Sequence, residues 1–294
     1  MIIRKAERKK AKLRLGISAP SGAGKTYSSL LIAYGLTGDW EKIGLIDTEN
    51  GSGDLYAHLG GYLILPLEAP YTPDRYIQSI KAFEEAGVEA IIIDSLSHAW
   101  AGEGGALDIQ SAAASKTGNS YTAWREVTPK HNALVNAMLT SKCHIIATMR
   151  AKTEYVQEKD SNGKTVIRKV GLAPIQRDGM EYEFTVMMDI SADHMASTSK
   201  DRTGLFDGQY FKPGIETGKK LLEWLESGTE MIRKETVMKI NTKWIELGFD
   251  PELIDAQTKK LYGVPLNQLT EPQGKEFLAK LIETKPKQEK KEGA

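Results

Sequence analysis

Residues 19–26 read Ala-Pro-Ser-Gly-Ala-Gly-Lys-Thr, and these residue types at this spacing are suited to holding phosphate groups. They follow the pattern G-x-x-x-x-G-K-[ST], with Ala19 in place of the first glycine. Glycines let backbone N–H groups turn towards an anion, and the N-terminus of a following helix adds a positive partial charge. We therefore predict a nucleotide-binding loop made of Ser21, Gly22, Ala23, Gly24, Lys25, Thr26 and Tyr27.

A triphosphate in this loop needs a cation and a metal ion. Lys25 can neutralise oxygens of the β- and γ-phosphates, and the Thr26 hydroxyl is a ligand that suits Mg²⁺. A carboxylate must complete the metal site, and Asp94 follows the apolar run Ile91–Ile93 where a buried strand would end. The sequence thus predicts ATP and Mg²⁺ as cofactors, with Thr26 and Asp94 as metal ligands. The alternative for Asp94 is a helix-capping residue.

Hydrolysis also needs a carboxylate that orients the attacking water. It can follow the metal aspartate directly, but that position is Ser95. It can instead lie at the end of the strand after the phosphate-loop helix, where Ile46-Asp47-Thr48-Glu49 offers Glu49. After the next apolar strand, Thr148 and Arg150 are both candidates for sensing the terminal phosphate.

Strands must bring these loops together. Apolar runs suited to strands alternate with helical patterns from Leu13 to about Ile190, which favours a parallel α/β sheet with right-handed crossovers. Two stretches lack this regularity. Residues 101–120 are rich in Gly, Ser and Ala, and residues 151–180 are polar, with Ser-Asn-Gly at 161–163 as the turn of a hairpin.

Composition and residue types bear on the partners, the cellular compartment and the metal sites that the protein could have. The 294 residues include 39 Lys+Arg and 39 Asp+Glu, so net charge gives no sign of a nucleic-acid partner. The lone cysteine, Cys143, cannot form an internal disulfide, which favours a reducing cytoplasm. The N-terminus lacks an apolar signal region, and no apolar run is long enough to cross a membrane. His58, His131 and His194 show no metal-ligand spacing, so we predict no zinc site.

Together, the segments Ala19–Thr26, Ile46–Glu49 and Ile91–Ser95 resemble those of the RecA-like ATPases. More closely, the chain resembles the phage-encoded RecA-like ATPases of the Sak type, which are tied to single-strand annealing and recombination. The resemblance covers about residues 10–225. It implies a RecA-like P-loop NTPase core, with Glu49 as the catalytic base and Asp47 as a supporting carboxylate. Lys25 is the catalytic lysine in this scheme, and a phage origin would place the protein in the cytoplasm of a bacterial host.

A second segment, Lys200-Asp201-Arg202-Thr203-Gly204, resembles the K-x-R-x-G segment of hexameric helicases. There, a lysine and an arginine enter the active site of the neighbouring subunit. The resemblance implies that Lys200 and Arg202 are catalytic in trans and that the protein is a homo-oligomer, as a ring or a filament. The alternative is an ordinary basic surface turn.

In RecA-like folds, the loops that correspond in position to these two irregular stretches contact DNA. The resemblance therefore implies single-stranded DNA as the partner. Basic side chains offset phosphate charge, and aromatic rings can stack on bases. The candidates in the second stretch are Lys152, Lys164, Arg168, Lys169 and Arg177. A solvated hairpin of mixed charge is the alternative, because acidic residues lie among them.

Four regions follow from these patterns. We predict a basic N-terminal arm at 1–14, the ATPase core at 15–227, a small helical domain of three short helices at 228–284 and a disordered charged tail at 285–294. The C-terminal helices could hold a single-strand-binding or replication protein, or could simply stabilise the core.

The leading prediction is an ATP-dependent, single-stranded-DNA-binding ATPase of recombination or annealing. One alternative is a replicative helicase-like motor or an ATPase that loads a helicase. Another is a nucleotide-switched scaffold with little turnover.

Overall fold

The computed structural model describes residues 8–159 and 165–284, and at 153–159 and 165–172 it describes the backbone alone. The strands are β1 (Arg14–Ala19), β2 (Ile43–Asp47), β3 (Leu63–Pro66), β4 (Ala90–Asp94), β5 (His144–Lys159), β6 (Thr165–Pro174), β7 (Val186–Ile190) and β8 (Ala196–Asp201). The helices are α1 (Lys25–Thr37), α2 (Pro73–Ala86), α3 (Ser97–Ala101), α4 (Ala106–Thr117), α5 (Ser120–Thr140), α6 (Ile215–Glu226), α7 (Lys234–Glu246), α8 (Ile254–Tyr262) and α9 (Glu271–Glu283).

The strands form a mostly parallel sheet in the order β3-β2-β4-β5-β1-β7-β8. Each neighbouring pair from β3 to β7 is parallel, whereas β8 runs antiparallel to β7 at one edge and β6 pairs antiparallel with β5. This arrangement, with helices against the sheet and further helices at the C-terminus, confirms the α/β class predicted from the sequence. The carboxyl ends of β1, β2, β4 and the parallel part of β5 meet along one edge.

Burial explains why the central strands read as continuous apolar runs. Every residue of β1, β2 and β4 is buried, as expected for strands covered on both faces. Helix α1 packs closely against the start of α6 because Gly35 and Gly218 meet. A Cβ at Gly35 would lie 2.2 Å from the Ile215 carbonyl oxygen, and one at Gly218 would lie 2.2 Å from that of Ile32.

Arg14 has a structural position at the start of β1. Its guanidinium is buried and donates hydrogen bonds to the carbonyl oxygens of Leu13, Leu139, Ser141 and Cys143. Burial lowers its pKa to about 10, and the charges of Cys143 and Glu84 oppose that shift. The side chain therefore ties the end of α5 to β1 and is not free to contact phosphate.

The segment 101–120 differs from the irregular loop that its composition indicated. Helix α4 occupies residues Ala106–Thr117 and ends at Gly118, whose φ of 67° closes the helix through a hydrogen bond to the Ala114 carbonyl. Alanine has the highest helix propensity, and it occurs at 106 and 112–114. Small residues at these positions therefore build a helix, with flanking glycines marking its limits.

The second irregular stretch is a hairpin, as its sequence suggested. β5 continues beyond the sheet to Lys159, and β6 pairs with it from Ala151↔Pro174 to Lys159↔Thr165. Residues 160–164, including Lys164 and the expected turn, lie outside the described residues.

The chain divides into two compact units, Lys12–Leu222 and the remainder. In the second unit, α7, α8 and α9 enclose a core that includes Ile240, Trp244, Leu269 and Phe277. The segment at residues 8–11 belongs to this unit, since Lys9 bridges Thr229 and the Arg8 guanidinium lies 4.0 Å from the Trp224 ring centroid. The predicted tail at 285–294 and residues 1–7 lie outside the described residues. Across the part of the chain that the structure describes, no helix combines the length and apolarity needed to cross a bilayer.

Candidate active site

The loop between β1 and α1 has a backbone suited to an anion. Gly22 and Gly24 have φ values of 78° and 90°, which lie in the left-handed region that favours glycine. The first helical hydrogen bond runs from the Ser28 N–H to the Gly24 carbonyl, and no side chain caps the helix. The N–H groups of the first turn therefore remain available for phosphate oxygens. Ala19, the departure from the pattern, is the buried last residue of β1, where a methyl group fits.

Lys25 lies in the first turn of α1. Its Nζ donates to the carbonyl oxygens of Ala19 at 3.4 Å and Pro20 at 3.2 Å, so the ammonium lies over the loop. Burial lowers the pKa of Lys25, the charges of Asp94 and Glu49 oppose that shift, and the Arg150 charge adds to it. Lys25 thus lies within electrostatic reach of both carboxylates, where a terminal phosphate would add further negative charge.

The two predicted metal ligands are in direct contact. The Thr26 hydroxyl donates to Asp94 Oδ2 at 2.5 Å, and the Thr148 hydroxyl donates to Asp94 Oδ1 at 2.5 Å. Asp94 is 1% exposed, and burial raises its pKa, while the hydrogen bonds from Thr148 and Thr26 oppose that shift. Both carboxylate oxygens of Asp94 are therefore held in place by hydroxyl groups from α1 and β5.

This donor set fits Mg²⁺. A hydroxyl and a carboxylate are hard oxygen ligands, and Mg²⁺ commonly takes one or two carboxylates together with phosphate oxygens and water. The described residues contain no group of three or more His, Cys, Asp or Glu arranged for a metal ion. The hydroxyl of Thr26 and the carboxylate of Asp94 suit a magnesium ion that arrives with a nucleotide, and these two residues would hold it.

Glu49 lies two residues beyond the end of β2, the strand that pairs with β4 and its last residue, Asp94. Asp47 is paired with Asp94 in register and uses both oxygens to fix the following turn, accepting from the Glu49 N–H at 2.7 Å and the Gly53 N–H at 2.9 Å. Asp47 therefore fixes the backbone that leads to Glu49. The turn carries the Glu49 carboxylate to the same edge as Thr26 and Asp94.

Arg150 contacts Glu49 through a bidentate ion pair. Its Nε donates to Glu49 Oε1 at 2.9 Å and its Nη2 donates to Oε2 at 2.6 Å. Burial alone would raise the pKa of Glu49, but the hydrogen bond and charge of Arg150 outweigh it and lower the pKa. Thr148 and Arg150, both candidate phosphate sensors, therefore contact different carboxylates.

The Thr48 side chain connects the same edge to α3. Its hydroxyl lies 2.6 Å from His98 Nδ1 and accepts from the Ser95 N–H at 2.8 Å. The His98 ring stacks on Tyr71 with a centroid separation of 4.8 Å. Burial lowers the pKa of His98, and the nearby Arg150 charge lowers it further. His98 is therefore linked through Thr48 to the segment that follows Asp94.

A cleft of about 680 Å³ opens on the other side of the phosphate loop. Tyr27 and Tyr56 lie in its wall with ring centroids 5.8 Å apart, and His194 Nδ1 lies 3.1 Å from the Ala23 carbonyl oxygen. The segment 212–217 completes the wall. The cleft borders the phosphate loop at Gly22 and Gly24. The sequence pattern placed Tyr27 at this loop, whereas Tyr56 and His194 have no fixed spacing from it.

Lys200 and Arg202 lie away from the phosphate loop of their own chain. β8 runs antiparallel to β7, so Lys200 is opposite Met187 and Asp201 is opposite Val186, which pairs with Leu15 near the start of β1. The Lys200 ammonium donates to the carbonyl oxygens of Glu181 and Tyr182, and Arg202 Nη2 also donates to Tyr182 O. The structure therefore does not bring these cations to the site in cis.

The predicted DNA contacts lie on or after the hairpin. Lys152 is exposed in β5, and Arg177 is half-buried after β6, where its charge acts with burial to hold the pKa of His131 at about 4. Arg168 and Lys169 are opposite Val156 and Tyr155 in the ladder. Only the backbone of Arg168 and Lys169 is described, and Lys164 is outside the described residues.

Sequence comparison places this site in a known family. A family model described as AAA domain matches residues 11–223, which is well over half of the chain and includes the phosphate loop, Glu49, Asp94 and Arg150. A search of curated proteins finds no significant match. The chain belongs to the AAA domain family and is an AAA-type P-loop ATPase by that membership.

Proposed function

We propose that this ATPase hydrolyses Mg-ATP at the β1–α1 loop and uses the cycle to bind single-stranded DNA for annealing or recombination. One observation carries the catalytic part. Thr26, Asp94 and Glu49 come from three separate elements yet gather at one sheet edge, beside a loop whose N–H groups suit phosphate. Placing two carboxylates and a hydroxyl together has a cost in stability, because burial disfavours the ionised form of Asp94.

The chemistry assigned to these residues is a displacement at the terminal phosphorus. A water oxygen bonds to phosphorus, the bond from phosphorus to the bridging oxygen breaks, and ADP leaves with the electron pair. Glu49 orients the water and accepts its proton, which then passes to solvent, while Lys25 offsets the charge that develops on the phosphate. Thr26 and Asp94 would hold Mg²⁺, which would supply charge neutralisation for the phosphate oxygens.

The continuity of β5 supports a link between DNA and hydrolysis. The strand that carries Thr148 and Arg150 inside the sheet continues to Lys159 in the hairpin, with a shift of register between Glu154 and Tyr155. Displacement of the hairpin by a bound strand would therefore act on the residues that contact Asp94 and Glu49. Lys152, Lys164, Arg168, Lys169 and Arg177 are the proposed phosphate contacts.

The position of β8 supports a shared active site. Lys200 and Arg202 lie on or just after the edge strand β8, at the end of the sheet opposite their own loop, and their partners in this chain are backbone carbonyl oxygens rather than carboxylates. We therefore propose a homo-oligomer, either a ring or a filament, with these cations completing the neighbour's site. The resemblance to the Sak type favours recombination over a helicase motor, and the C-terminal helices are proposed to hold a single-strand-binding or replication protein.

The catalytic assignment is tested with Glu49→Gln, which should bind Mg-ATP but lose steady-state turnover by at least about 100-fold. Glu85→Gln is the matched control, because Glu85 is exposed on α2, away from the site. Normal hydrolysis by Glu49→Gln would remove Glu49 from the mechanism.

The DNA assignment is tested by measuring hydrolysis with and without single-stranded DNA, together with strand annealing and duplex unwinding. Stimulated hydrolysis with annealing and no unwinding supports the proposal. Directional unwinding would instead support a motor, and slow turnover that DNA does not change would support a nucleotide-switched scaffold.

The shared site is tested by mixing inactive Arg202→Ala and Lys25→Ala subunits. Mixed oligomers contain some interfaces that join an intact Lys25 loop to an intact Arg202, so part of the activity should return. If the mixture remains as inactive as its components, the site is complete within one chain.

A further inference from the structure

Arg150 occupies both oxygens of the proposed catalytic base. The two hydrogen bonds to Glu49, at 2.9 and 2.6 Å, form the planar fork that a guanidinium makes with a carboxylate. A base in this arrangement has lost lone pairs to the cation, and the same contact lowers the pKa of Glu49. Glu49 is therefore a weaker acceptor for a water proton while the pair is closed.

The backbones on both sides of this pair are fixed. The Arg150 N–H donates to Ser97 Oγ at 2.9 Å, and the Glu49 N–H donates to Asp47 Oδ1 at 2.7 Å. The side chains are less confined, since the Arg150 side chain is 46% exposed and that of Glu49 is 23% exposed. The pair can consequently open by side-chain rotation without moving either strand.

The β1–β5 register also places Arg150 beside the phosphate loop, where a terminal phosphate would offer it a second anionic partner. Ala19, the residue that leads into the phosphate loop, is directly opposite Arg150 in the β1–β5 register. Lys25 donates to the Ala19 carbonyl, and the Arg150 charge contributes to lowering the pKa of Lys25. The two cations therefore lie on either side of the entry to the loop. A terminal phosphate carries more charge than a carboxylate and suits the same bidentate contact.

We propose that Arg150 is a positioning residue that exchanges its guanidinium between the Glu49 carboxylate and the terminal phosphate of ATP. Glu49 is then free to orient water only when a triphosphate is bound, and ADP leaves the pair closed. This inference deepens the proposed function and rests on ATP hydrolysis with Glu49 as the base. It assigns the sensing of the terminal phosphate to Arg150 and leaves Thr148 to hold Asp94.

The exchange predicts that Glu49 competes with the triphosphate for Arg150. Affinities for Mg-ADP and for a non-hydrolysable Mg-ATP analogue are measured on the wild-type chain, Glu49→Gln, Arg150→Ala and the double variant. Glu49→Gln should tighten analogue binding about threefold to tenfold, the range of a partly exposed ion pair, and leave ADP binding unchanged. Arg150→Ala should weaken analogue binding roughly tenfold or more relative to ADP.

The double variant separates release of Arg150 from simple charge repulsion as the cause of tighter analogue binding. If the gain from Glu49→Gln arises because Arg150 is released, that gain must vanish when Arg150 is alanine. A gain of equal size in both backgrounds would reflect simple charge repulsion between Glu49 and the phosphate and would overturn the exchange. ADP binding checks that each variant is folded, Arg150→Lys tests charge without the fork, and Lys81→Ala removes an exposed cation on α2 as a control.

A pH profile gives an independent readout. Arg150 lowers the pKa of Glu49, so Arg150→Ala should move the acidic limb of kcat/KM to higher pH, whereas Arg150→Lys should move it less. A lower rate with an unmoved limb would overturn the exchange. The failure of the proposed function has a different signature: Glu49→Gln would then hydrolyse ATP normally, whatever Arg150 does.

Discussion

Replacing Thr148 with valine tests how the metal carboxylate is held. The Thr148 hydroxyl donates to Asp94 Oδ1 at 2.5 Å, and both side chains are buried, with exposures of 0% and 1%. Valine has nearly the same shape, so Thr148→Val removes the hydrogen bond without opening a cavity. Water cannot replace the hydroxyl at a position from which solvent is excluded. The Thr26 hydroxyl remains as the other partner of Asp94.

The expected loss is about 2 kcal/mol of unfolding free energy near neutral pH. Hydrogen bonds to charged groups contribute about 1.5–3 kcal/mol, and a buried carboxylate that loses a donor keeps its full desolvation cost. Thr140→Val is the matched control, since its hydroxyl bonds only to the Asn136 carbonyl at the exposed end of α5. That change should cost less than about 0.5 kcal/mol.

The pH dependence has a definite sign. Burial raises the pKa of Asp94 in the folded state, so its contribution to stability is fully present below the unfolded pKa and is lost as pH rises through the folded pKa. Removing the Thr148 hydroxyl raises that pKa further. The destabilisation of Thr148→Val should therefore be largest at neutral pH and should shrink as pH falls through the folded pKa of Asp94.

The same change affects magnesium, because a proton then competes better for Asp94. The Mg²⁺ concentration that half-saturates ATP hydrolysis should rise in Thr148→Val, and it should rise more at pH 6 than at pH 8. Urea unfolding and magnesium titrations measure the two effects. If Thr148→Val matches Thr140→Val in both assays, the contact between Thr148 and Asp94 does not position the metal carboxylate.

Three further predictions concern the loop, the cleft and β5. Gly24→Ala places a side chain on a residue with a φ of 90°, so it should lower the free energy of unfolding by about 1–2 kcal/mol and nucleotide affinity by at least about tenfold. Gly38→Ala is the control, with a φ of 69° at the other end of α1. It should destabilise the protein without weakening nucleotide binding in titrations. Tyr27→Ala should weaken ATP and ADP binding equally, about tenfold by calorimetry, because Tyr27 lines the cleft beside the loop in which we propose that the base is held. A loss confined to ATP would contradict this. Burial, with the charges of Lys12 and Arg14, lowers the pKa of His144 to about 3. The stability that the neutral ring contributes above about pH 6.5 should therefore be lost, by up to roughly 5 kcal/mol, as pH falls towards 3. His144→Gln should flatten that pH dependence in acid denaturation.

The residues that sequence reasoning could find are those at the ends of strands. Parallel strands bring their carboxyl ends to one edge, so a glycine loop, Glu49 and Asp94 could be placed near one another without coordinates. The contact between Thr26 and Asp94 follows from that rule, although their separation of 68 positions carries no local signal. The fold class was predictable for the same reason, because apolar runs and helical patterns alternate along the core.

The remaining features depend on side chains whose partners no pattern identifies. His194 reaches the Ala23 carbonyl from the turn between β7 and β8, and the two residues are 171 positions apart. The bidentate pair of Arg150 and Glu49 depends on which of several charges at the edge come within 3 Å of each other. Helix α4 was missed for a different reason: Gly, Ser and Ala together suggest a loop, whereas alanine at the positions between the flanking glycines favours a helix.

The alternation of β5 shows why both carboxylates can respond to one event. Thr148 and Arg150 are two residues apart, so they lie on the same face of the strand, and Met149 between them is buried in the core on the other face. Thr148 holds Asp94 from β4, and Arg150 holds Glu49 beyond β2. A side-chain rearrangement on this face of β5 would therefore change the contacts of the metal carboxylate and of the base together, while the strand stays in its ladders with β4 and β1. Because β1 pairs with β5 up to Ala19↔Arg150, this part of β5 also adjoins the start of the phosphate loop.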